Sequence, residues 1–275
     1  MYSPRKQDKM KRDTDEWDLV YKILYRGLFP GSGEIEFFDY DELLLDMDSL
    51  LSILLTYDIS EYNSDRRLEI AQTLVNNMVY FLEKYIGECN IKIYYNLDEY
   101  KKFPSIYPNW CKDRMNRYKY TVTIKFIKKY LIDKLRKVQE IKHNFMIIEC
   151  EDSPILKIFE DIELASAKST LILSRDPHYM CILCYHDVSI YNGRFIVNRD
   201  TYIHESEYPK VHYTLIPAYY MIAGMKRNEY EGLKLYGPKK TEKLINDNKV
   251  AIIKGTLPEI QEVLPYKNIF YLKDI

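Results

Sequence analysis

The stretch Glu42-Leu43-Leu44-Leu45-Asp46-Met47-Asp48-Ser49-Leu50-Leu51 is a short apolar run that stops on a carboxylate. A run this brief, without polar alternation, suits a strand covered on both faces, the condition of a parallel sheet inside an α/β domain. The spacing predicts four such strands, at 42–46, 91–96, 145–149 and 170–174, each followed by a segment long enough for a helix. The clearest helices fall at 64–86, 121–140 and 154–167. A further strand pair, 188–191 and 194–198, meets at Asn192-Gly193, a dipeptide suited to a hairpin turn. From about residue 200 the pattern becomes helical, and Tyr236-Gly237-Pro238-Lys239-Lys240 opens a short helix over 239–247 with proline just inside its start. Residues 1–40, mixed in charge, read as an appended arm or a helix before the core.

Active groups of a doubly wound sheet gather at the carboxyl ends of its strands. Here those ends are acidic: Asp46 with Asp48, Asn96 with Asp98, Glu149-Cys150-Glu151-Asp152, and Ser174-Arg175-Asp176. Carboxylates brought together repel unless a hard cation such as Mg²⁺ or Mn²⁺ neutralises them. Two such ions about 4 Å apart can carry phosphodiester hydrolysis. The competing reading is that these residues start helices, where carboxylates cap the first turn and complement its dipole. The set as a whole is expected to bind metal.

The chain has 275 residues, 47% hydrophobic and 29% charged, which excludes a disordered or collagen-like polypeptide. No run approaches the ~18 apolar residues of a spanning helix, and the polar start lacks the apolar core of a signal peptide. The expectation is therefore a cytoplasmic protein without a membrane partner. Five cysteines at irregular spacing fit reduced thiols. Net charge is only -1, yet residues 101–142 hold thirteen Lys and Arg against Asp113, Asp133 and Glu140, a net +10, so the rest carries -11. A basic segment set against an acidic body predicts polyanion binding. Tyr107, Trp110, Tyr118, Tyr120 and Tyr130 are interleaved with these cations and could stack on unpaired bases. Ile124, Ile127, Leu131, Leu135 and Val138 recur at steps of three and four, so the segment also reads as an amphipathic helix with its lysines outward.

In order and spacing these elements resemble the flap endonuclease or 5′-to-3′ exonuclease family, which includes bacteriophage RNase H enzymes and the 5′-nuclease domain of bacterial DNA polymerase I. Leu43 to Leu51 is similar to the family's first strand, with Asp46 on its metal-binding Asp. Tyr95-Asn96 stands where the family has Phe-Asp, and Tyr107-Pro108-Asn109-Trp110-Cys111-Lys112-Asp113-Arg114 resembles its Tyr-Pro-x-Tyr-Lys-x-Asn-Arg element. Glu149-Cys150-Glu151-Asp152 is similar to its Glu-Ala-Asp-Asp signature, and Ser174-Arg175-Asp176-Pro177-His178 to Ser-Gly-Asp-x-Asp. Leu235-Tyr236-Gly237-Pro238-Lys239-Lys240-Thr241 resembles the Gly-Ile-Gly-Pro-Lys-Thr-Ala turn of a helix-hairpin-helix that grips duplex backbone.

The resemblance implies a PIN/FEN-like α/β fold: a parallel central sheet flanked by helices over 41–200, a helical arch at 101–142, and a helical duplex-binding region at 201–275 with the helix-hairpin-helix. It implies a divalent-metal-dependent, structure-selective 5′ nuclease acting on DNA with a 5′ single-stranded end or on an RNA–DNA hybrid, in replication and beside replication proteins. Catalytic residues would be Asp46, Glu149, Glu151, Asp152 and Asp176, with Lys112 and Arg114 toward the scissile phosphate. Metal ligands would be Asp46, Asn96, Asp98, Glu149, Glu151, Asp176 and His178, forming one tight Mg²⁺ or Mn²⁺ site and a second that is weak or absent. Arg117, Lys119, Lys125, Lys128 and Lys129 of the arch, and Gly237, Lys239 and Lys240 of the turn, would bind nucleic acid, with K⁺ at the helix-hairpin-helix.

The chain departs from the family on the chemistry. Asn96 replaces an Asp, Cys111 the active-site Lys, and His178 the second Asp of its motif. Ala223-Gly224-Met225-Lys226-Arg227-Asn228 stands where the family has Gly-Asp and a further Asp. These losses define a rival: a pseudonuclease that keeps the fold and binds or assembles on DNA without turnover. A PIN-like ribonuclease is a third reading, which the Gly237-Pro238-Lys239 element opposes. His178, Cys181, Cys184 and His186 have a zinc-like spacing, but a short helix over 178–184 followed by a strand would turn them apart. His204 and His212 read as surface residues. The Tyr-, Ile-, Lys- and Asn-heavy composition points to an AT-rich coding sequence, as in a phage or other virus.

Overall fold

The computed structural model describes residues 40–51, 72, 76, 89–97, 102–109, 122–164, 169–174, 176–192, 196–205 and 208–270. Strand β1, Glu42–Asp46, runs directly into a short helix α1, Met47–Leu51. Strand β2, Asn90–Tyr95, precedes helix α2, Lys102–Ile106, and the long helix α3, Val122–Gln139. Strand β3, Phe145–Glu149, leads to helix α4, Pro154–Leu164, and then to strand β4, Thr170–Leu173. A 3₁₀ segment, Pro177–Cys184, connects β4 to strand β5, Ser189–Tyr191, which pairs with strand β6, Ile196–Val197. Four helices complete the described chain: α5, Ile216–Ala223; α6, Pro238–Asp247; α7, Lys249–Ile253; and α8, Pro258–Val263.

The six strands form one sheet in the order β3-β2-β1-β4-β5-β6. Strands β1 to β5 pair in parallel, and β6 returns antiparallel at the edge. The parallel sheet expected from the apolar runs is therefore present, and the strand pair flanking Asn192 is the antiparallel edge. All five residues of β1 and all four of β4 are buried, as strands covered on both faces must be. Successive chain connections build the sheet outward from β1 toward β3, then start again at β4 on the other side. The carboxyl ends of β1 and β4 thus flank the switch point, the place where open α/β sheets bind ligands.

Helices cover both faces, and adjacent residues of β2 show it because successive strand side chains point to opposite sides. Tyr94 donates to Asp161 of α4 at 2.7 Å. Tyr95 turns the other way, donating to Glu149 and accepting from Arg136 of α3 at 2.8 and 2.9 Å. Helix α3 buries Leu131 and Leu135 of the expected stripe, and Ile132 beside them.

A single hydrophobic cluster runs from Leu44 in β1 to Phe270 near the end of the described chain, so helices α5 to α8 share the core of the sheet. Tyrosine does much of this packing. Tyr107 stands edge-on to Tyr230 at 5.0 Å and to Tyr266 at 5.6 Å, and Tyr230 meets Phe270 at 5.0 Å. Such edge-to-face pairs add about 0.5–1.5 kcal/mol each beyond area burial. Residues 1–39 of the extension expected at 1–40, most of the helix expected at 64–86, and residues 110–121 of the basic segment lie outside the described residues. Among the described residues, no helix is long and apolar enough to cross a membrane.

Candidate functional site

At the switch point each aspartate already has a structural task. Asp46 follows the last buried leucine of β1, and its Oδ1 accepts the Ser49 N–H at 2.9 Å, capping the first turn of α1. Its Oδ2 accepts the Tyr179 hydroxyl at 3.0 Å, and the residue is only 5% exposed. Asp176, past the end of β4, caps the Pro177–Cys184 segment by accepting the His178 N–H at 3.0 Å. Its Oδ2 accepts the Asn228 amide at 3.2 Å. Asp152, just before α4, accepts the Ser153 N–H at 2.7 Å.

Lysine enters this acidic pocket from the side. The Lys128 ammonium, projecting from α3, donates to the Asn96 carbonyl at 2.5 Å and pairs with Asp48 Oδ1 at 2.5 Å. Both partners of that pair are deeply covered, 10% and 5% exposed at the side chain. Asn96 is itself buried at the end of β2, and its amide donates to the Cys150 and Asp152 carbonyls at 2.8 and 3.0 Å. Burial pushes the Cys150 thiol up to about 12, with the charges of Asp48 and Asp46 adding to the shift.

The remaining predicted ligands lie elsewhere. Asp46 stands in register with Tyr94, whereas Glu149 is in register with Tyr95, so the two carboxylates leave the sheet on opposite faces. Glu149 accepts the Tyr95 hydroxyl, lies 3.7 Å from the Arg136 guanidinium and is half exposed. Burial, with the hydrogen bond to Glu149 adding to it, raises Tyr95 to about 12. Glu151 is exposed. His178 is fully buried between Phe103 and Phe270, and its Nε2–H donates to the Ile269 carbonyl at 2.6 Å. Burial holds its imidazole below the usual range, in the neutral form. Asp98 lies outside the described residues. Among the described residues, no three His, Cys, Asp or Glu side chains come together as a metal-binding group. Among the described residues, the strand-end carboxylates therefore do not converge on one point. With an ammonium against Asp48, an amide against Asp176 and Glu149 on the far face, this donor set does not fit two divalent ions. The zinc-like spacing at 178–186 likewise brings no cluster together, with Cys181 buried and Cys184 directed at the Thr214 carbonyl.

Of the expected nucleic-acid contacts, Lys128 is corrected: it points inward, not to solvent. Lys129 on the same helix is exposed, beside Phe126 and Tyr130, whose rings stack at 6.1 Å. Lys112, Arg114, Arg117 and Lys119 lie outside the described residues, as does the side chain of Lys125. Helix α6 begins at Gly237 with Pro238 in its first turn and no side-chain cap. Lys239 and Lys240 are exposed there, and the Lys240 ammonium rests 4.2 Å from the centre of the Tyr236 ring. An uncapped helix start carries open N–H donors and partial positive charge, which attract anions.

The residues not foreseen are Tyr179, which holds Asp46; Asn228, which holds Asp176; and the inward role of Lys128. A signal existed for the last. Lys128 sits three residues before Leu131 and seven before Leu135, on the apolar stripe of α3.

No protein-family model matches this sequence, and no curated protein does. Solved structures match the fold. The bacteriophage T5 D15 protein with metal ions shares 15% identity at a TM-score of 0.52, over 84% of this chain and 86% of that one. The T5 D15 flap endonuclease in a product complex with DNA and metal ions shares 16% identity at 0.52, over the same fractions. The T5 5′-exonuclease with bound zinc shares 15% at 0.53, again over 84% and 86%. The chain therefore has the flap-endonuclease type of α/β fold expected from its motifs.

Proposed function

We propose that this chain binds DNA with a 5′ single-stranded end, or an RNA–DNA hybrid, as a nucleic-acid-recognition protein of 5′-nuclease fold without phosphodiester turnover. The observation that carries this reading is the state of the strand-end carboxylates. Asp46 and Asp176 cap the segments that follow them, Asp152 accepts the Ser153 N–H, and Asp48 is paired with a buried ammonium. Recognition rests on features that do not depend on those carboxylates. The open start of α6 with Lys239 and Lys240 offers N–H donors and charge to duplex phosphates. Phe126 and Tyr130, with Lys129 and Lys134 beside them, offer a stacking surface to an unpaired strand. The similar T5 flap endonuclease in complex with DNA supports the same ligand class.

A second reading, a 5′ nuclease dependent on Mg²⁺ or Mn²⁺, is favoured by one observation: Asp46 and Asp48 remain buried at the carboxyl end of the central strand, beside the switch point. A cleavage assay on labelled 5′-flap and RNA–DNA hybrid substrates, with either metal and with binding measured in parallel, separates the two. Binding without products in wild type supports recognition alone. Metal-dependent products that disappear in Asp46→Ala would establish hydrolysis and displace the first reading.

A further inference from the structure

We propose that the Lys128 ammonium is a built-in cation, occupying by covalent tether the oxygen donors at the ends of β1 and β2 where a divalent metal would otherwise be bound. The proposal deepens the reading of a turnover-free protein and rests on it. A hard cation seeks carboxylate and carbonyl oxygens. Lys128 Nζ has one of each, Asp48 Oδ1 and the Asn96 carbonyl, both at 2.5 Å. The surroundings are built for that arrangement. The Asn96 amide is fixed by the Cys150 and Asp152 carbonyls, which locks the loop presenting its own carbonyl to the ammonium. Asn96, Asp48 and Lys128 are all buried, so this is an interior charge pair and not a surface contact.

The energetic logic is asymmetric. Removing one member of a buried pair leaves an uncompensated charge, a loss far larger than that of an exposed pair. Lys128 therefore does what a bound ion does for a carboxylate site: it makes buried Asp48 tolerable. The neutral side chain of Asn96 is consistent with this. A +1 ammonium requires less negative charge than a +2 metal, and a neutral amide at that position keeps the pocket near balance. The pair Asn228 to Asp176 repeats the theme with a neutral donor, the amide nitrogen lying 3.2 Å from a single carboxylate oxygen.

The test is Mn²⁺ binding, read by electron paramagnetic resonance and by the shift of the melting temperature, in the full chain and in Lys128→Met. Wild type is expected to show no Mn²⁺-dependent rise in melting temperature. Lys128→Met is expected to melt lower, to be rescued by Mn²⁺ in millimolar excess, and to bind the ion at least about tenfold more tightly than wild type. Equal Mn²⁺ affinity in both proteins, or a variant that Mn²⁺ leaves unchanged, overturns the proposal. If Lys128→Met does not fold, amine acetylation of wild type followed by peptide mass spectrometry decides. Lys128 should be protected relative to exposed Lys129 whether or not Mn²⁺ is present, and exposure of Lys128 on adding Mn²⁺ would show that the metal displaces it. Duplex affinity measured on the same samples keeps the two failures apart. Mn²⁺ bound by wild type without cleavage sinks the built-in cation alone, whereas cleavage sinks the recognition reading.

Discussion

Leu235 adopts φ 70°, in the left-handed region, and is 87% exposed just before the Gly237 turn. A leucine gains nothing there from burial and carries about 1–2 kcal/mol of backbone strain. Replacing it by glycine relieves the strain and returns part of the gain through a freer unfolded chain. Leu235→Gly should therefore raise the unfolding free energy by about 1 kcal/mol, measurable as a higher urea midpoint at unchanged slope. A lower midpoint would mean that the side chain has a contact worth more than the strain. His178 permits a second residue-scale prediction. Burial lowers its folded pKa below 6.5, so the native imidazole stays neutral while the unfolded one takes up a proton as pH falls through 6.5. The unfolded state then binds more protons, and stability declines on acidification below that value. In His178→Gln, which keeps a donor for the Ile269 carbonyl, the loss between pH 7 and pH 5 should be smaller than in wild type. Equal slopes would assign the acid sensitivity to other groups.

Among the described elements, the connection between α5 and α6 leaves little room for change at Gly232. Gly232 has φ 65°, and a Cβ on it would lie 2.4 Å from the Gly224 nitrogen and the Ile222 carbonyl oxygen. Gly232→Ala combines left-handed strain with overlap against backbone that cannot rotate away, a cost of about 2–5 kcal/mol. Because this connection delivers the chain to Gly237 and the start of α6, the variant should also lose duplex affinity, and thermal melting with anisotropy binding on one sample checks both. Affinity kept at a lowered melting temperature would show that the α6 start is positioned by other contacts. The strands were legible from the sequence because Leu43 to Leu45 and Leu171 to Leu173 admit no amphipathic alternative. The site was less so, for reasons of register. Asp46 and Glu149 both end strands, but their face is set by which residues of β2 they oppose, Tyr94 or Tyr95. That one-residue offset is a property of pairing between distant segments, which no local pattern carries. Lys128 was obscured for a different reason. A charge on an apolar stripe reads as a long side chain reaching out to water until its partners, contributed by β2 and α1, are in place.

At the scale of the whole molecule, the uneven charge recovers its meaning once inward and outward lysines are separated. The segment at 101–142 carries +10, but Lys128 is neutralised internally by Asp48 and so contributes nothing to the outer field. The turn at Gly237 lies far along the chain from that segment, whose Phe103 joins the same hydrophobic cluster as the C-terminal helices while α3 packs elsewhere on the sheet. Two basic surfaces suit a ligand with two parts, a duplex and a strand leaving it. Each phosphate neutralised releases counterions, so affinity falls with salt at a slope of about 0.9 per contact. Lys239→Ala with Lys240→Ala should lower that slope by about two on duplex DNA, with the loss of affinity greatest at low salt. Lys128→Met, by contrast, should leave the slope unchanged even where it lowers stability, because the side chain it removes faces Asp48 and not the ligand. Anisotropy titrations between 50 and 200 mM salt test both variants together. Parallel lines for wild type and the double variant would remove the α6 start from the duplex contact, and a reduced slope for Lys128→Met would return that lysine to the nucleic-acid surface.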